Sequence, residues 1–140
     1  MNIILDFNRT LFDPETAALL PDALELLQDL HKKGHTLHLI SRLEPGRETT
    51  LESLGIQVFF TSIAFVDNKE KPMAEVIKKA GGKCVYVIGD HLYGEIRIGN
   101  RLGAKTIWLK RGRFAGLMRT SLDDEPWRTV EHLKEIKELI

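Results

Sequence analysis

Asp6 and Asn8 follow the apolar run Ile3-Ile4-Leu5, and Ser41 and Arg42 follow Leu39-Ile40. Lys71 stands directly before Pro72, and Asp90 follows Val85–Gly89 with Glu95 five residues on. A carboxylate at the end of a buried strand is costly to place unless a cation or a set of donors meets it there. Taken alone, Asp6 reads equally well as the cap of the next turn, where Asp and Asn are common. The other three positions give it a chemical context. Hard carboxylate oxygens near Asp6 suit magnesium, which takes one or two carboxylates plus waters and phosphate oxygens. A hydroxyl at Ser41 and an ammonium at Lys71 suit the oxygens of an anion, as donor and point charge. An aspartate nucleophile with a metal and a lysine is a coherent set for phosphoryl transfer, where positioning and charge neutralisation do most of the catalysis.

Those residues need elements that bring them to one edge. Three apolar residues, two of them β-branched, predict a first strand buried on both faces. Phe12-Asp13-Pro14 reads as a turn, and Pro21 opens a helix whose Ala23, Leu26, Leu27 and Leu30 share one face. Lys32 and Lys33 occupy its last turn and Gly34 ends it. Leu37–Ile40 predicts a second strand and residues 47–54 a short helix stopped by Gly55. Val58-Phe59-Phe60 reads as a third strand. Thr61–Glu70 reads as loop, with a brief strand at Ile63–Val66 as an option. Lys71-Pro72 starts the next helix, with Met73, Val76, Ile77 and Ala80 on its apolar face. Cys84–Ile88 is the strongest strand signal, followed by a helix from about Tyr93 to Leu102 and a fifth strand at Lys105–Leu109. Arg128–Val130 reads as an edge strand, before a helix bearing Leu133, Ile136, Leu139 and Ile140.

Strands alternating with helices predict an α/β fold: a doubly wound, mostly parallel Rossmann-like sheet covered by helices on both faces. In such sheets ligands bind beyond the carboxyl ends of the strands, where these polar residues fall. The 140 residues fit one domain, 1–140, and the connections after the first two strands leave no room for a second. Twenty basic and twenty acidic residues leave no global field toward nucleic acid or an acidic partner. The lone Cys84 excludes an internal disulfide and reads as a buried, inert thiol. Asp6 interrupts the N-terminal apolar stretch too early for a signal peptide, and no run approaches the ~20 apolar residues of a membrane span. The expectation is a cytoplasmic protein.

The chain resembles the haloacid dehalogenase (HAD) superfamily of aspartate-nucleophile hydrolases. Its first motif, Asp-x-Asp-x-Thr, is matched by Asp6-Phe7-Asn8-Arg9-Thr10, and its strand-ending Ser or Thr by Ser41. Its Lys before Pro at a helix start is matched by Lys71-Pro72, with Lys69 a second choice. Its Gly-Asp followed by an acid is matched by Gly89-Asp90 and Glu95. The resemblance implies a member without a cap domain. It implies Asp6 as nucleophile, Mg2+ held by Asp6, the backbone carbonyl of Asn8, Asp90 and Glu95, and phosphate held by Ser41, Arg42 and Lys71. It also implies that Lys71 keeps Asp6 ionised.

Asn8 departs from that pattern. In the family's phosphatases an Asp there protonates the leaving group and activates the water, and an amide does neither. Such a group is worth ~10²–10⁴ in rate. His91 is a candidate substitute, or else a solvated loop histidine. Three readings follow: a magnesium-dependent phosphatase acting through an aspartyl-phosphate, a phosphate- and metal-binding protein without turnover, and a carbon-centred hydrolase of the dehalogenase kind. The dehalogenases of the superfamily work without the metal, so the Asp90/Glu95 pair favours phosphate. The expected partner is a phosphorylated small molecule, or an exposed phosphate on a macromolecule. A homo-oligomer covering its own crevice fits the same pattern, and no membrane or nucleic-acid partner is expected. Lys110–Arg113 reads as a solvated basic loop able to attract an anion, and Trp108 and Trp127 as packing residues.

Overall fold

The computed structural model describes residues 1–140. Eight strands and four α-helices follow one another as β1 (Asn2–Leu5), β2 (Phe12–Asp13), β3 (Ala18–Leu19), α1 (Ala23–Lys32), β4 (Thr36–Arg42), α2 (Arg47–Leu54), β5 (Phe60–Val66), α3 (Glu70–Lys79), β6 (Val85–Gly89), α4 (Arg97–Arg101), β7 (Lys105–Leu109) and β8 (Arg128–Val130). Six of the strands form one sheet in the order β5-β4-β1-β6-β7-β8. Every pairing in it is parallel. Winding runs outward from β1 through β4 to β5, then returns to the other side of β1 at β6. The carboxyl ends of β1, β4 and β6 therefore meet around the point where the winding reverses, which is where open α/β sheets hold ligands.

The pleat sorts each strand's residues to two faces. Ile3, Leu5, Leu37, Leu39 and Ile88 pack with the Ala23, Leu26, Leu27 and Leu30 face of α1. Ile4, Ile40, Val85 and Val87 pack on the other face with Met73 of α3 and with Ala80 just past its end. Both faces are thus covered, as the uninterrupted apolar strands predict.

The structure alters several expected elements. The third large strand runs over Phe60–Val66, and Gln57–Phe59 forms a single 3₁₀ turn with Val58 72% exposed. β5 is the sheet edge, so Thr61 and Ser62 face solvent and break the apolar pattern that marks inner strands. Phe12-Asp13-Pro14 is the first half of a β2–β3 hairpin, whose turn is set by Glu15 N–H donating to the Asp13 carboxylate at 2.9 Å. The expected helix from Tyr93 begins as a wide π-type turn at Leu92–Ile96 and is α-helical only over Arg97–Arg101. The C-terminal element is a 3₁₀ helix, Leu133–Glu138, with Leu133 and Ile136 buried three residues apart. Cys84 is free and half-buried, in place of the buried thiol expected. Only Pro14–Ala17 separates β2 from β3, and only Asp67–Lys69 separates β5 from α3, so neither connection holds an inserted cap.

One ion pair braces the helix that follows Glu95. The Asp124 carboxylate is fully buried and accepts from Arg97 Nε at 2.6 Å, Arg97 Nη2 at 3.0 Å and the Thr120 amide at 2.7 Å. Arg97 hydrogen bonding holds the Asp124 carboxyl well below the usual range, against the effect of burial. Such a group stabilises the fold fully above the unfolded carboxyl pKa of about 4, and the contribution fades as pH falls toward the depressed native value. Asp124→Asn is expected to cost about 2 kcal/mol at neutral pH, the scale of a hydrogen bond to a charged group. The difference in urea midpoint from wild type should shrink steadily below pH 4. A difference independent of pH would assign the loss to packing.

Candidate active site

Asp6 stands one residue beyond β1 and extends its ladder, its amide donating to Ile88 O at 3.1 Å. The chain then turns back at once: the Thr10, Leu11 and Phe12 amides all donate to Phe7 O. Arg9 takes a left-handed conformation in that loop, at φ 61°. Thr10, itself buried, donates its hydroxyl to Asp6 Oδ2 at 3.1 Å, and Lys69 donates to Asp6 Oδ1 at 2.7 Å. Both carboxylate oxygens are therefore oriented.

Asp90 follows β6, and its backbone carbonyl accepts from Trp108 Nε1 at 2.9 Å. The reading of Trp108 as packing is incomplete, because the indole also fixes the peptide that presents Asp90. The wide turn at Leu92–Ile96 folds Glu95 back, so that its Oε1 accepts from the Asp90 and His91 amides at 3.1 and 3.0 Å. Gly89 makes that return possible. A Cβ there would lie 2.1 Å from Glu95 Cγ, so any other residue would push the carboxylate out.

Asp6, Asp90 and Glu95 consequently lie together, each offering an oxygen within 4.8 Å of the other two. All three are buried, and the one cation paired with them is Lys69, which also donates to Glu95 Oε2 at 3.2 Å. Burial and repulsion from Glu95 raise the Asp6 carboxyl above its usual range despite Lys69. Burial, then Glu95 and Asp6, push Asp90 up to about 9. Burial opposes ionisation of Glu95, yet Lys69 and the backbone donors hold it below its usual range. Lys69 would be lowered by burial, and the two carboxylates beside it raise it instead. The cluster is short of positive charge, and Asp90 Oδ2 is buried without a partner. Oxygen-only donors, excess negative charge and an orphaned carboxylate oxygen fit a hard divalent cation such as magnesium.

Lys69 replaces the expected Lys71. Helix α3 begins at Glu70, with the Glu70 amide donating to Asn68 Oδ1 at 2.9 Å. Lys71 thereby falls inside the first turn and faces solvent, while Lys69 remains in the β5–α3 connection and reaches the acids. Pro72 sits in the same first turn, where its missing N–H costs nothing. Lys69→Met should abolish detectable binding of phosphate or vanadate and lower stability, since it strands buried carboxylates. Lys71→Met should change neither. Equal losses in both variants, read by calorimetry and urea unfolding, would contradict this placement.

The remaining expected residues line one cavity of about 650 Å³ with the acids: Asn8, Ser41, Arg42 and His91. Ser41 is fully buried and its Oγ has no partner, so its hydroxyl is available to a ligand. Arg42 is exposed at the cavity's edge. His91 accepts from the Tyr93 amide through Nδ1 at 3.2 Å and packs on Phe114, with centroids 4.1 Å apart. Burial lowers its pKa. Sequence reading missed Arg47, which lines the cavity from the start of α2 and carried no motif to mark it.

A parallel sheet with acids, a hydroxyl and a lysine gathered at its reversal point defines a Rossmann-like α/β domain with a polar ligand crevice. The profile of the HAD-hydrolase-like family matches residues 69–136. The chain is 29% identical over 130 residues to the glyceraldehyde 3-phosphate phosphatase of Methanopyrus kandleri, covering 86% of this chain and 55% of that protein. The Pyrococcus furiosus protein of the same name is 28% identical over 106 residues, covering 69% of this chain and 44% of that one. This chain thus spans about half the length of the curated relatives it matches. Its fold superposes with a TM-score of 0.72 on D,D-heptose 1,7-bisphosphate phosphatase from B. bronchiseptica, complexed with magnesium and phosphate. That match has 15% identity and covers 99% of this chain and 96% of the other. Over residues 69–136 the chain is thus similar to the HAD-hydrolase-like family, and its fold is shared with the D,D-heptose 1,7-bisphosphate phosphatase.

Proposed function

We propose that this chain, acting as one domain over residues 1–140, is a magnesium-dependent phosphatase of phosphoric monoesters that works through an aspartyl-phosphate on Asp6. The observation that carries the reading is the buried set Asp6, Asp90, Glu95 and Lys69 opening, with the unpartnered Ser41 hydroxyl, into one cavity. The names of the two curated relatives support a phosphorylated substrate. An Asp6 carboxylate oxygen attacks phosphorus, the bond from phosphorus to the ester oxygen breaks, and its electron pair leaves with that oxygen. Lys69 and Ser41 hold the phosphoryl oxygens, and Arg42 lends charge at the edge. Asp6, Asp90, Glu95 and the Asn8 backbone carbonyl would hold magnesium, which neutralises the charge of the phosphoryl group. Water then cleaves the aspartyl-phosphate, returning Asp6 and releasing phosphate. The same proposal places the protein in the cytoplasm; no helix is long and apolar enough to cross a membrane.

Asn8 favours a second reading, in which the site binds phosphate and metal without turnover. The amide stands at the cavity wall where an acid–base group would act, and it neither donates nor accepts a proton. The two readings separate on a panel of phosphate esters assayed with magnesium. The phosphatase should cleave aryl and acyl phosphates, whose leaving groups depart unprotonated, faster than alkyl phosphates, and chelation should stop it. Magnesium and phosphate binding with no cleavage of any ester would establish the second reading.

A further inference from the structure

Arg47 is 6% exposed although it begins a surface helix. Its guanidinium lies over the Phe7 ring, 5.3 Å from the centroid, and Phe7 in turn stacks on Phe12 with centroids 4.9 Å apart. A guanidinium held over a ring face keeps its N–H donors for other partners. Its one ionic partner is Glu44, whose carboxylate lies 2.7 Å from Nη2 without the alignment of a hydrogen bond. Nε has no partner at all. A buried cation with unused donors is costly unless an anion completes it. Glu44 is a loose occupant, with a side chain 54% exposed.

Arg47 is not isolated. Arg9 from the loop after β1, Arg42 from the end of β4 and Arg113 from the turn after β7 line the same cavity, and none of the three is in an ion pair. Against these four arginines the outer wall offers only Glu44 and Asp67. The inner wall is the reverse, with three carboxylates and one lysine. A second cavity of about 670 Å³ adjoins this one, shares Arg9 and Arg113, and adds Arg111 with Asp13 and Glu15. The crevice is therefore polarised, acidic and metal-fitting at its floor and cationic at its mouth.

We propose that the arginine wall, anchored by Arg47, is a subsite for a second anionic group on the leaving-group side of the substrate. This rests on the phosphatase reading for its substrate, and names the class as phosphate monoesters that carry a carboxylate or a second phosphate. The Glu44 carboxylate holds the place of that group in the free protein, and the second anion displaces it. No covalent step is involved. The subsite confers specificity and holds the ester so that its phosphate reaches Asp6.

The test uses phosphonates, which bind without turnover, measured by calorimetry with excess magnesium. Propylphosphonate carries one anionic group, 3-phosphonopropionate adds a carboxylate and propane-1,3-diphosphonate adds a second phosphonate. At least one of the latter two should bind about 10-fold or more tightly than propylphosphonate, the scale of one hydrogen bond to a charged group. The tighter of the two identifies the second anion. Arg47→Gln should bring the ratio of affinities close to unity, and Glu44→Gln should increase it by removing the competing carboxylate. Equal affinities for all three ligands would overturn the proposal, as would an unchanged ratio in both variants. If Arg47→Gln does not fold, Glu44→Gln and Arg9→Gln decide in the same way. Parallel assays of phenyl phosphate and acetyl phosphate, whose leaving groups need no proton, separate the two readings. A binding ratio that holds while neither of these is cleaved supports the anion subsite and refutes the phosphatase.

Discussion

Asp6→Asn is expected to abolish turnover of every phosphate ester and at the same time to make the metal-free protein more stable. The first effect follows from chemistry, because an amide oxygen does not form the acyl-phosphate bond on which the proposed route depends. The loss should exceed ~10⁴ in kcat, beyond the range expected of a single acid–base group. The second effect follows from the charges. Three buried carboxylates share one lysine, and burial together with repulsion among them already raises Asp6 and pushes Asp90 up to about 9. Removing one charge relieves that repulsion while keeping the side chain's shape. The gain in stability should be about 1 kcal/mol, visible as a higher urea midpoint. Magnesium should reverse the order, since it neutralises the wild-type cluster and binds the variant less well. A less stable, still active Asp6→Asn protein would remove Asp6 from the centre of the site.

Asn8→Asp is expected to raise turnover of alkyl phosphates by ~10²-fold or more, the lower range for one positioned acid–base group. Position 8 is half-buried on the wall of the cavity, two residues beyond Asp6 and before the chain turns back at Arg9. A carboxyl placed there joins a cluster already rich in negative charge, so its pKa rises, as a general acid near neutral pH requires. Aryl and acyl phosphates should gain much less in the first step, because their leaving groups need no proton. Burst-phase rates of alcohol or phenol release from alkyl and aryl substrates, compared in both proteins, check this. An equal gain on both would remove leaving-group protonation from the role of position 8. No gain on any ester, with phosphate still bound, would favour the binding protein.

The floor of the site was legible because its residues terminate strands. A single carboxylate after a buried apolar run reads equally well as a turn cap, but Asp6 and Asp90 both stand in that position, and Ser41 stands at a third strand end. The sheet was legible for the same reason, since inner strands are written as continuous apolar runs. β5 was misplaced because an edge strand has one solvated face, so Thr61 and Ser62 read as loop. Lys71 was preferred to Lys69 because it precedes Pro72, whereas the helix boundary that decides between them is set by Asn68 receiving the Glu70 amide. Glu95 was legible as an acid at the right distance, but not the π-type turn and bare Gly89 that bring it back to Asp90. Arg47 was illegible. Nothing in its neighbours distinguishes it from a solvated helix residue, and only the packing of Phe7 and Phe12 beneath it gives it a fixed place.

The central claim is that Asp6 carries the phosphoryl group. Intact-mass analysis after brief incubation with magnesium and acetyl phosphate tests it directly, because an amide at position 8 is expected to slow the water step and let the covalent form accumulate. Wild type should gain the mass of one phosphoryl group, mapped to the peptide containing Asp6, labile to hydroxylamine and absent from Asp6→Asn. An unmodified wild-type chain that nonetheless hydrolyses the ester, or a phosphoryl group mapped elsewhere, would contradict the account.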